Sequence, residues 1–304
     1  MMVEGALLAG VELGGTKCVC TLGTGPQDIR EQWRVPTGSP GQTLAAINER
    51  LDAWGRVHGK PAALGIGSFG PLDLRRSSPR YGYITSTPKP GWRDVDVLGA
   101  LGAGRDLPLA IDTDVNAAAA AEGRWGAGAG LEDFAYVTIG TGIGVGLVAG
   151  GQLVHGANHG ELGHIRVARV PGDTWPGVCP FHGDCVEGLA SGPAIRARAG
   201  ASTEQLHPED PAWDFAAHAV GQMLHTLTLA TAPRRIIIGG GVGLGREDFL
   251  ERVRRHLLSS INGFVDIEQI AGPLDAYVVH PGLGEQAGPL GALALAAARA
   301  RVAQ

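Results

Sequence analysis

The chain reads as an α/β protein made of two similar halves that face each other across a cleft. Three observations carry that reading. A short apolar run, Leu7–Leu13, stops at Gly14-Gly15-Thr16-Lys17, and alternation resumes at Cys18–Leu22. This is the pattern of a strand, a glycine turn and a second strand, a β-hairpin rather than a strand-to-helix unit. The same pattern returns at Ala135–Ile139, Gly140-Thr141-Gly142-Ile143-Gly144 and Val145–Ala149. Buried-looking strands and segments of helical spacing follow each hairpin, as an α/β half requires.

In order, Leu44–Trp54 has helical spacing, and Ala62–Gly67 is a buried strand ending at Ser68-Phe69-Gly70-Pro71. The stretch Tyr81–Trp92 is dense in turn residues and predicts an ordered loop or a ligand-facing hairpin. Leu107–Ile111 is a further strand and Asn116–Arg124 an alanine-rich helix. The second hairpin runs on to Leu153, and two helical stretches follow, Ala212–Thr231 being the longer. Arg235–Gly243 predicts a buried strand running into a third glycine turn. Phe249–Leu258 is helical, Ala276–His280 a strand, and Gly288–Arg301 a closing helix that crosses back onto the first half. The expected lobes are residues 1–114 joined by helix 288–304, and residues 115–287, hinged near Asp114–Asn116.

Bulk properties narrow the functional classes. The 304 residues include 49 glycines, so many backbone positions turn sharply or lie against something. A net charge of −5 speaks against nucleic acid or an anionic membrane as partner. No apolar run approaches the ~20 residues that cross a bilayer. The first residues lack a basic leader, and four cysteines, two of them better explained by metal, fit a reduced cytoplasm.

The densest chemistry lies between residues 159 and 187. Cys179, His182 and Cys185 stand at intervals of three, so a tight turn aims them at one point. Thiolate and imidazole are the ligands zinc prefers, and His164 supplies a fourth corner. Glu161 and Glu187, beside these ligands, would be held rigidly and suit the hydroxyls of a sugar. No chemistry here calls for a metal-bound water, so the zinc is expected to be structural.

Three glycine turns, Gly14-Gly15-Thr16-Lys17, Gly140-Thr141-Gly142 and Gly239-Gly240-Gly241, follow buried strands and together favour a polyphosphate. None has the P-loop spacing, and none reads as a dinucleotide fingerprint between strand and helix. Asp112-Thr113-Asp114-Val115-Asn116 falls where a strand ends and a helix begins. One aspartate there can cap the helix while the other takes a proton from a hydroxyl attacking a γ-phosphoryl group. The residues alone leave open which does which.

The ordered set Glu12-Leu-Gly-Gly-Thr-Lys17, Thr113-Asp-Val-Asn116, Gly140-Thr-Gly-Ile-Gly144, Glu161-Leu-Gly-His164, the Cys/His cluster with Glu187, and Gly239-Gly-Gly-Val242 resembles the ROK family. That resemblance covers essentially the whole chain and implies the two-lobed, actin-like ATPase (ribonuclease H-like) fold with a central cleft. Within the family, Cys179-Pro-Phe-His182-Gly-Asp-Cys185, Glu12 and Ile84–Trp92 look like the fructokinase branch. Relatives specific for other sugars generally carry asparagines near Pro88 and at the position of Thr113, and both are missing here. The resemblance implies Asp114 as catalytic base and Glu161, His164, Glu187 and Asn116 as sugar contacts. It implies Gly14, Gly15, Thr16, Lys17, Gly140, Thr141 and Gly142 at the phosphates of Mg·ATP, and Gly239, Gly240 and Gly241 on the adenosine side. His164 is left to metal, sugar or both, and Lys17 to phosphate or solvent. The expected product is fructose 6-phosphate, made by a cytoplasmic homodimer. Kinases of glucose, mannose or N-acetylhexosamines are the near alternative. A sugar-responsive repressor shares the body but needs a helix-turn-helix module before the first glycine turn, and none is read here.

Overall fold

The computed structural model describes residues 5–203 and 205–302. Residues 1–4 and 303–304, included in the expected lobe limits and leader reading, lie outside the described residues. The first elements are β1 (Leu8–Leu13), β2 (Lys17–Gly25), β3 (Asp28–Pro36), α1 (Pro40–His58), β4 (Leu64–Ser68), β5 (Tyr83–Ile84), β6 (Val95–Asp96), α2 (Val97–Gly102), β7 (Leu109–Thr113) and α3 (Asp114–Trp125). Next come β8 (Phe134–Ile139), β9 (Ile143–Ala149), β10 (Gln152–Leu153), α4 (Val186–Ala190), α5 (Gly192–Ala199) and α6 (Pro211–Thr231). The chain closes with β11 (Ile236–Gly239), α7 (Gly240–Gly245), α8 (Glu247–Ile261), α9 (Ile267–Ala271), α10 (Leu274–Tyr277), β12 (Val278–Val279) and α11 (Ala287–Val302).

Two five-stranded sheets share one topology. The first runs β3-β2-β1-β4-β7 and the second β10-β9-β8-β11-β12. In each, an antiparallel hairpin carries the glycine turn, and two parallel strands extend the side of its first strand. The repetition seen in the glycine-turn motifs is therefore a repetition of whole sheets. Each sheet has its own core: Val11, Leu13, Ile66, Trp54 and Trp92 in one, Val137, Ile139, Ile238, Met223 and Phe249 in the other.

The chain divides into two compact units, but not where the motifs placed the border. Unit one holds residues 1–129, 153–159 and 286–304; unit two holds 130–152 and 160–285. Helix α3 thus belongs to unit one, and the expected hinge at Asp114–Asn116 lies inside that unit. The physical reason is α11. A Cβ at Gly65 in β4 would stand 2.0 Å from the Ala292 carbonyl oxygen, so the helix rests directly on the strand. Gly291 lies equally tight against Ala117 of α3, which ties α3, α11 and the sheet into one body.

Residues 153–159 are a strap of unit one that interrupts unit two in the sequence. Asn158 Nδ2 donates to the Leu72 carbonyl at 2.8 Å, and its Oδ1 accepts from the Leu74 N–H at 3.0 Å. His159 Nε2 accepts from the Leu72 N–H at 2.9 Å. His155, which meets Asp112 at 2.7 Å, and His159 both pin this strap within unit one.

Some local readings differ from the structure. Strand β3, half exposed along its length, was not read from the sequence, where Glu31 breaks the alternation of Ile29, Trp33 and Val35. The strand expected over Ala276–His280 shrinks to Val278–Val279, because Leu274–Tyr277 closes a helical turn first. The third glycine turn falls where β11 ends at Gly239 and α7 begins at Gly240. Among the described residues, no helix is long and apolar enough to cross a membrane.

Candidate active site

In unit one the first glycine turn is braced from behind. Thr37 Oγ1 donates to the Gly14 carbonyl at 2.7 Å, the Thr37 N–H to the Thr16 carbonyl at 2.9 Å, and Lys89 Nζ to the Gly15 carbonyl at 2.6 Å. Every carbonyl of Gly14, Gly15 and Thr16 is thereby engaged. Among the described residues no acceptor meets the N–H of Gly15 or Thr16, and both residues are exposed. A turn whose carbonyls are taken and whose N–H groups are uncommitted presents positive backbone to solvent, which is the requirement of an anion site.

The structure separates the two aspartates that sequence left equivalent. Asp112 is buried and saturated: Oδ1 accepts from the Thr113 N–H and from Asn116 Nδ2, both at 2.8 Å, and Oδ2 meets His155 Nε2 at 2.7 Å. That hydrogen bond from His155 holds the imidazole toward its protonated form, raising its pKa against the effect of burial. The helix cap is neither aspartate but Thr113, whose Oγ1 accepts from the Asn116 N–H at 3.2 Å. Asp114 is left as the first residue of α3, its Oδ1 taking the neighbouring Val115 N–H at 2.9 Å. Asn116 is buried and donates from its amide to Asp112, which supports the β7–α3 junction.

Glu12, at the end of β1, is electrostatically tied to Asp114. Burial and then the Asp114 charge push the Glu12 carboxyl up to about 7, with Lys17 and Arg34 pulling the other way.

Unit two gathers the remaining candidates. Gly140 closes the second turn by donating its N–H to the Gly142 carbonyl at 2.9 Å, while its own carbonyl accepts from Gly192, the first residue of α5, at 2.8 Å. The backbone nitrogen of Gly241 lies 3.9 Å from where a Gly140 side chain would begin, so the second and third turns are neighbours. Glu187, in the first turn of α4, accepts from the Ile143 N–H at 3.0 Å through Oε2. Its carboxylate therefore leans on the second turn itself.

The Cys/His cluster forms a tetrahedron of donor atoms. His164 Nδ1 lies 3.6 Å from Cys179 Sγ, 3.5 Å from Cys185 Sγ and 3.3 Å from His182 Nδ1, and Cys179 Sγ lies 3.7 Å from His182 Nδ1. A zinc ion with sulfur at ~2.3 Å and nitrogen at ~2.05 Å requires N–S edges of about 3.6 Å and an N–N edge of about 3.3 Å. The donor set and its spacing fit that ion. The turn is set by a two-way backbone pair between Cys179 and Gly183, at 3.1 and 2.9 Å. Burial pushes the Cys185 thiol up to about 11, so a thiolate there needs a cation beside it.

His164 has two faces: Nδ1 enters the cluster, and Nε2 points at Glu187 Oε1, 3.8 Å away. One histidine thus stands between the metal-type cluster and a carboxylate. Gly163 is required by packing, since a Cβ there would fall 1.8 Å from the Ile143 carbonyl oxygen. Glu161 is exposed and precedes the 3-10 turn Leu162–His164, its carbonyl accepting from the His164 N–H at 3.0 Å.

Sequence reasoning missed Lys89, His155 and the commitment of Asn116. Only Lys89 carried a local signal, as the cation of the turn-dense stretch Ile84–Trp92.

The chain matches the model of the ROK family over residues 8–299. A fructokinase of Pediococcus pentosaceus is 39% identical over 293 residues, covering 96% of this chain and 98% of that protein. One of Zymomonas mobilis is 41% identical over 292 residues, covering 95% of each. A ROK hexokinase structure from Thermus thermophilus superposes with a TM-score of 0.78 at 30% identity, covering 98% of this chain and all (100%) of that one.

Proposed function

This chain belongs to the ROK family, and from that premise we propose that it transfers the γ-phosphoryl group of ATP to fructose, giving fructose 6-phosphate. The observation that carries the reading is the first glycine turn, whose engaged carbonyls leave N–H groups turned outward in the same unit as Asp114. Phosphoryl transfer asks a protein mainly for positioning and charge stabilisation, and an outward-facing backbone supplies both to a triphosphate. Fructose is preferred over other hexoses because relatives named fructokinase match at close to full length.

Asp114 takes the proton of the attacking hydroxymethyl group. Asp112, the other aspartate of the pair, is already engaged by Thr113, Asn116 and His155. Glu161 and Glu187 hold sugar hydroxyls, Glu187 being oriented by the Ile143 N–H and His164. The turns Gly14–Lys17 and Gly140–Gly142 take the phosphates, and Gly239–Gly241 the adenosine side. Magnesium, carried with ATP, neutralises charge on the phosphates. His164, Cys179, His182 and Cys185 hold a structural zinc, which fastens the segment bearing Glu161 and Glu187. A cytoplasmic homodimer belongs to the same proposal, and light scattering tests its size.

An ADP-release assay with Mg·ATP and a panel of fructose, mannose, glucose and N-acetylhexosamines tests the function. Fructose should give the highest kcat/KM. A larger value for glucose would replace the assignment by a hexokinase of the kind the Thermus structure represents. No ADP release with any hexose would remove the kinase reading.

A further inference from the structure

We infer that His155 is a positioning residue for the proposed base: it clamps Asp112, and Asp112 in turn fixes the short junction on which Asp114 stands. The inference rests on the proposed phosphotransfer, because its target is the base. It gives the strap of unit one a part in that reaction which no sequence motif assigned.

The junction between β7 and α3 is a closed local network. β7 runs parallel to β4, with Asp112 opposite Gly67 and Thr113 opposite Ser68. The fit at the turn into α3 is tight: a Cβ at Gly67 would lie 2.8 Å from the Ala117 Cβ and 3.6 Å from the Asp114 Cα. Side chains supply the other hold. Asp112 Oδ1 accepts from the Thr113 N–H and from Asn116 Nδ2, while Thr113 Oγ1 accepts from the Asn116 N–H. The chain on both sides of Asp114 is thus tied to one carboxylate oxygen and one hydroxyl. Those ties are only as fixed as the rotamer of Asp112.

His155 sets that rotamer. Its Nε2 meets Asp112 Oδ2 at 2.7 Å, the oxygen that the junction itself leaves over. The other ring nitrogen is engaged by the Leu153 carbonyl. Two acceptors, one of them a carboxylate, call for two ring donors, so the imidazole is held as a cation. Arg76, a like charge acting on the ring, and partial burial oppose that state without reversing it. Tyr81 faces Asp112, with Arg299 and Arg76 acting on it. The Asp112 side chain is only 7% exposed, which leaves water little room to replace the ring as a fixed donor. Fastening the strap does not account for this contact, since Asn158 and His159 already bond the backbone of Leu72 and Leu74. His155 touches no reacting atom; the hydroxyl proton goes to Asp114.

The test uses His155→Ala, His155→Gln and Asp112→Asn in the intact protein. His155→Ala should lower kcat about 10²-fold, the scale of a small misplacement at the reacting centre, with KM for fructose and for ATP close to the parent. Glutamine can place an amide N–H near the position of Nε2, so His155→Gln should recover about tenfold of that loss. Asp112→Asn carries a pH signature. Its amide keeps an acceptor for Thr113 and Asn116 but turns an N–H toward Nε2, so donor meets donor until the ring loses a proton. The ratio of its kcat to the parent's should therefore rise about tenfold between pH ~6 and pH ~8, across the ordinary histidine value of about 6.5. A part in strap packing alone predicts no such rise. Parental kcat in His155→Ala, a loss there that falls on KM instead, or an Asp112→Asn ratio flat with pH overturns the inference and leaves the kinase reading intact. The Asp112→Asn profile decides the matter even if His155→Ala does not fold. A parent protein that phosphorylates no hexose overturns both.

Discussion

The two glycine hairpins occupy the same place in two sheets of the same topology, yet their turns are held by different partners. In the first, Thr37 and Lys89 take up the carbonyls from behind and leave N–H groups outward. In the second, Gly192 takes the Gly140 carbonyl, and the carboxylate of Glu187 occupies the Ile143 N–H. A repeated backbone thus sets where a turn lies, and the residues around it decide what braces it. The first turn is backed by a threonine and a lysine, while the second is linked through Glu187 and His164 to a cluster of metal-type ligands.

If that contrast is right, damage to the two sites should appear in different measurements. Asp114→Asn should reduce kcat by about 10³-fold, the scale of a lost general base, without moving the melting temperature. A variant that keeps near-parental turnover would show that the base lies elsewhere. Removing the cluster should do the reverse, acting on stability first. Cys179→Ser, or treatment with a strong chelator, should lose bound zinc and lower the melting temperature by about 10 °C, at roughly 2–4 °C per kcal/mol for units of this size. Unchanged metal content and melting temperature would dissolve the contrast.

Smaller effects sharpen it. Burial holds the Glu12 carboxyl up at about 7 in the folded protein, against 4.5 for a free glutamate side chain. As pH rises between those values the unfolded chain loses its proton first, so the buried carboxyl increasingly destabilises the folded state. Glu12→Gln should therefore be more stable than the parent near pH ~8, by at most about 3 kcal/mol, and no more stable near pH ~4. Urea titrations at both pH values read this directly. Gly163→Ala, which forces a methyl group onto the Ile143 carbonyl, should cost about 1–3 kcal/mol and be visible in the same titrations. An unchanged midpoint would mean that β9 yields easily at that point.

Much of this architecture was legible in the sequence, because hairpins with glycine turns leave a strong short-range signature. The doubled pattern at Gly14–Lys17 and Gly140–Gly144 led to two α/β halves, and the structural neighbours share that fold. The unit border was not legible. It depends on α11 resting against Gly65 and α3, contacts between residues 227 and 174 positions apart. The choice between Asp112 and Asp114 was hidden for a similar reason: His155, which saturates Asp112, arrives from a strap far along the chain. Strand β3 escaped because Glu31 interrupts its alternation of Ile29, Trp33 and Val35, leaving too short an apolar period.

The strap and α11 also bear on how the protein is made. Unit one cannot be excised as a single stretch of chain, since residues 153–159 and 286–304 are threaded into it from beyond the start of unit two. On the ribosome, β1 and β4 must wait with their glycine face uncovered until α11 emerges, after all of unit two. Unit two is therefore positioned to complete its core first, and the half carrying Asp114 closes last.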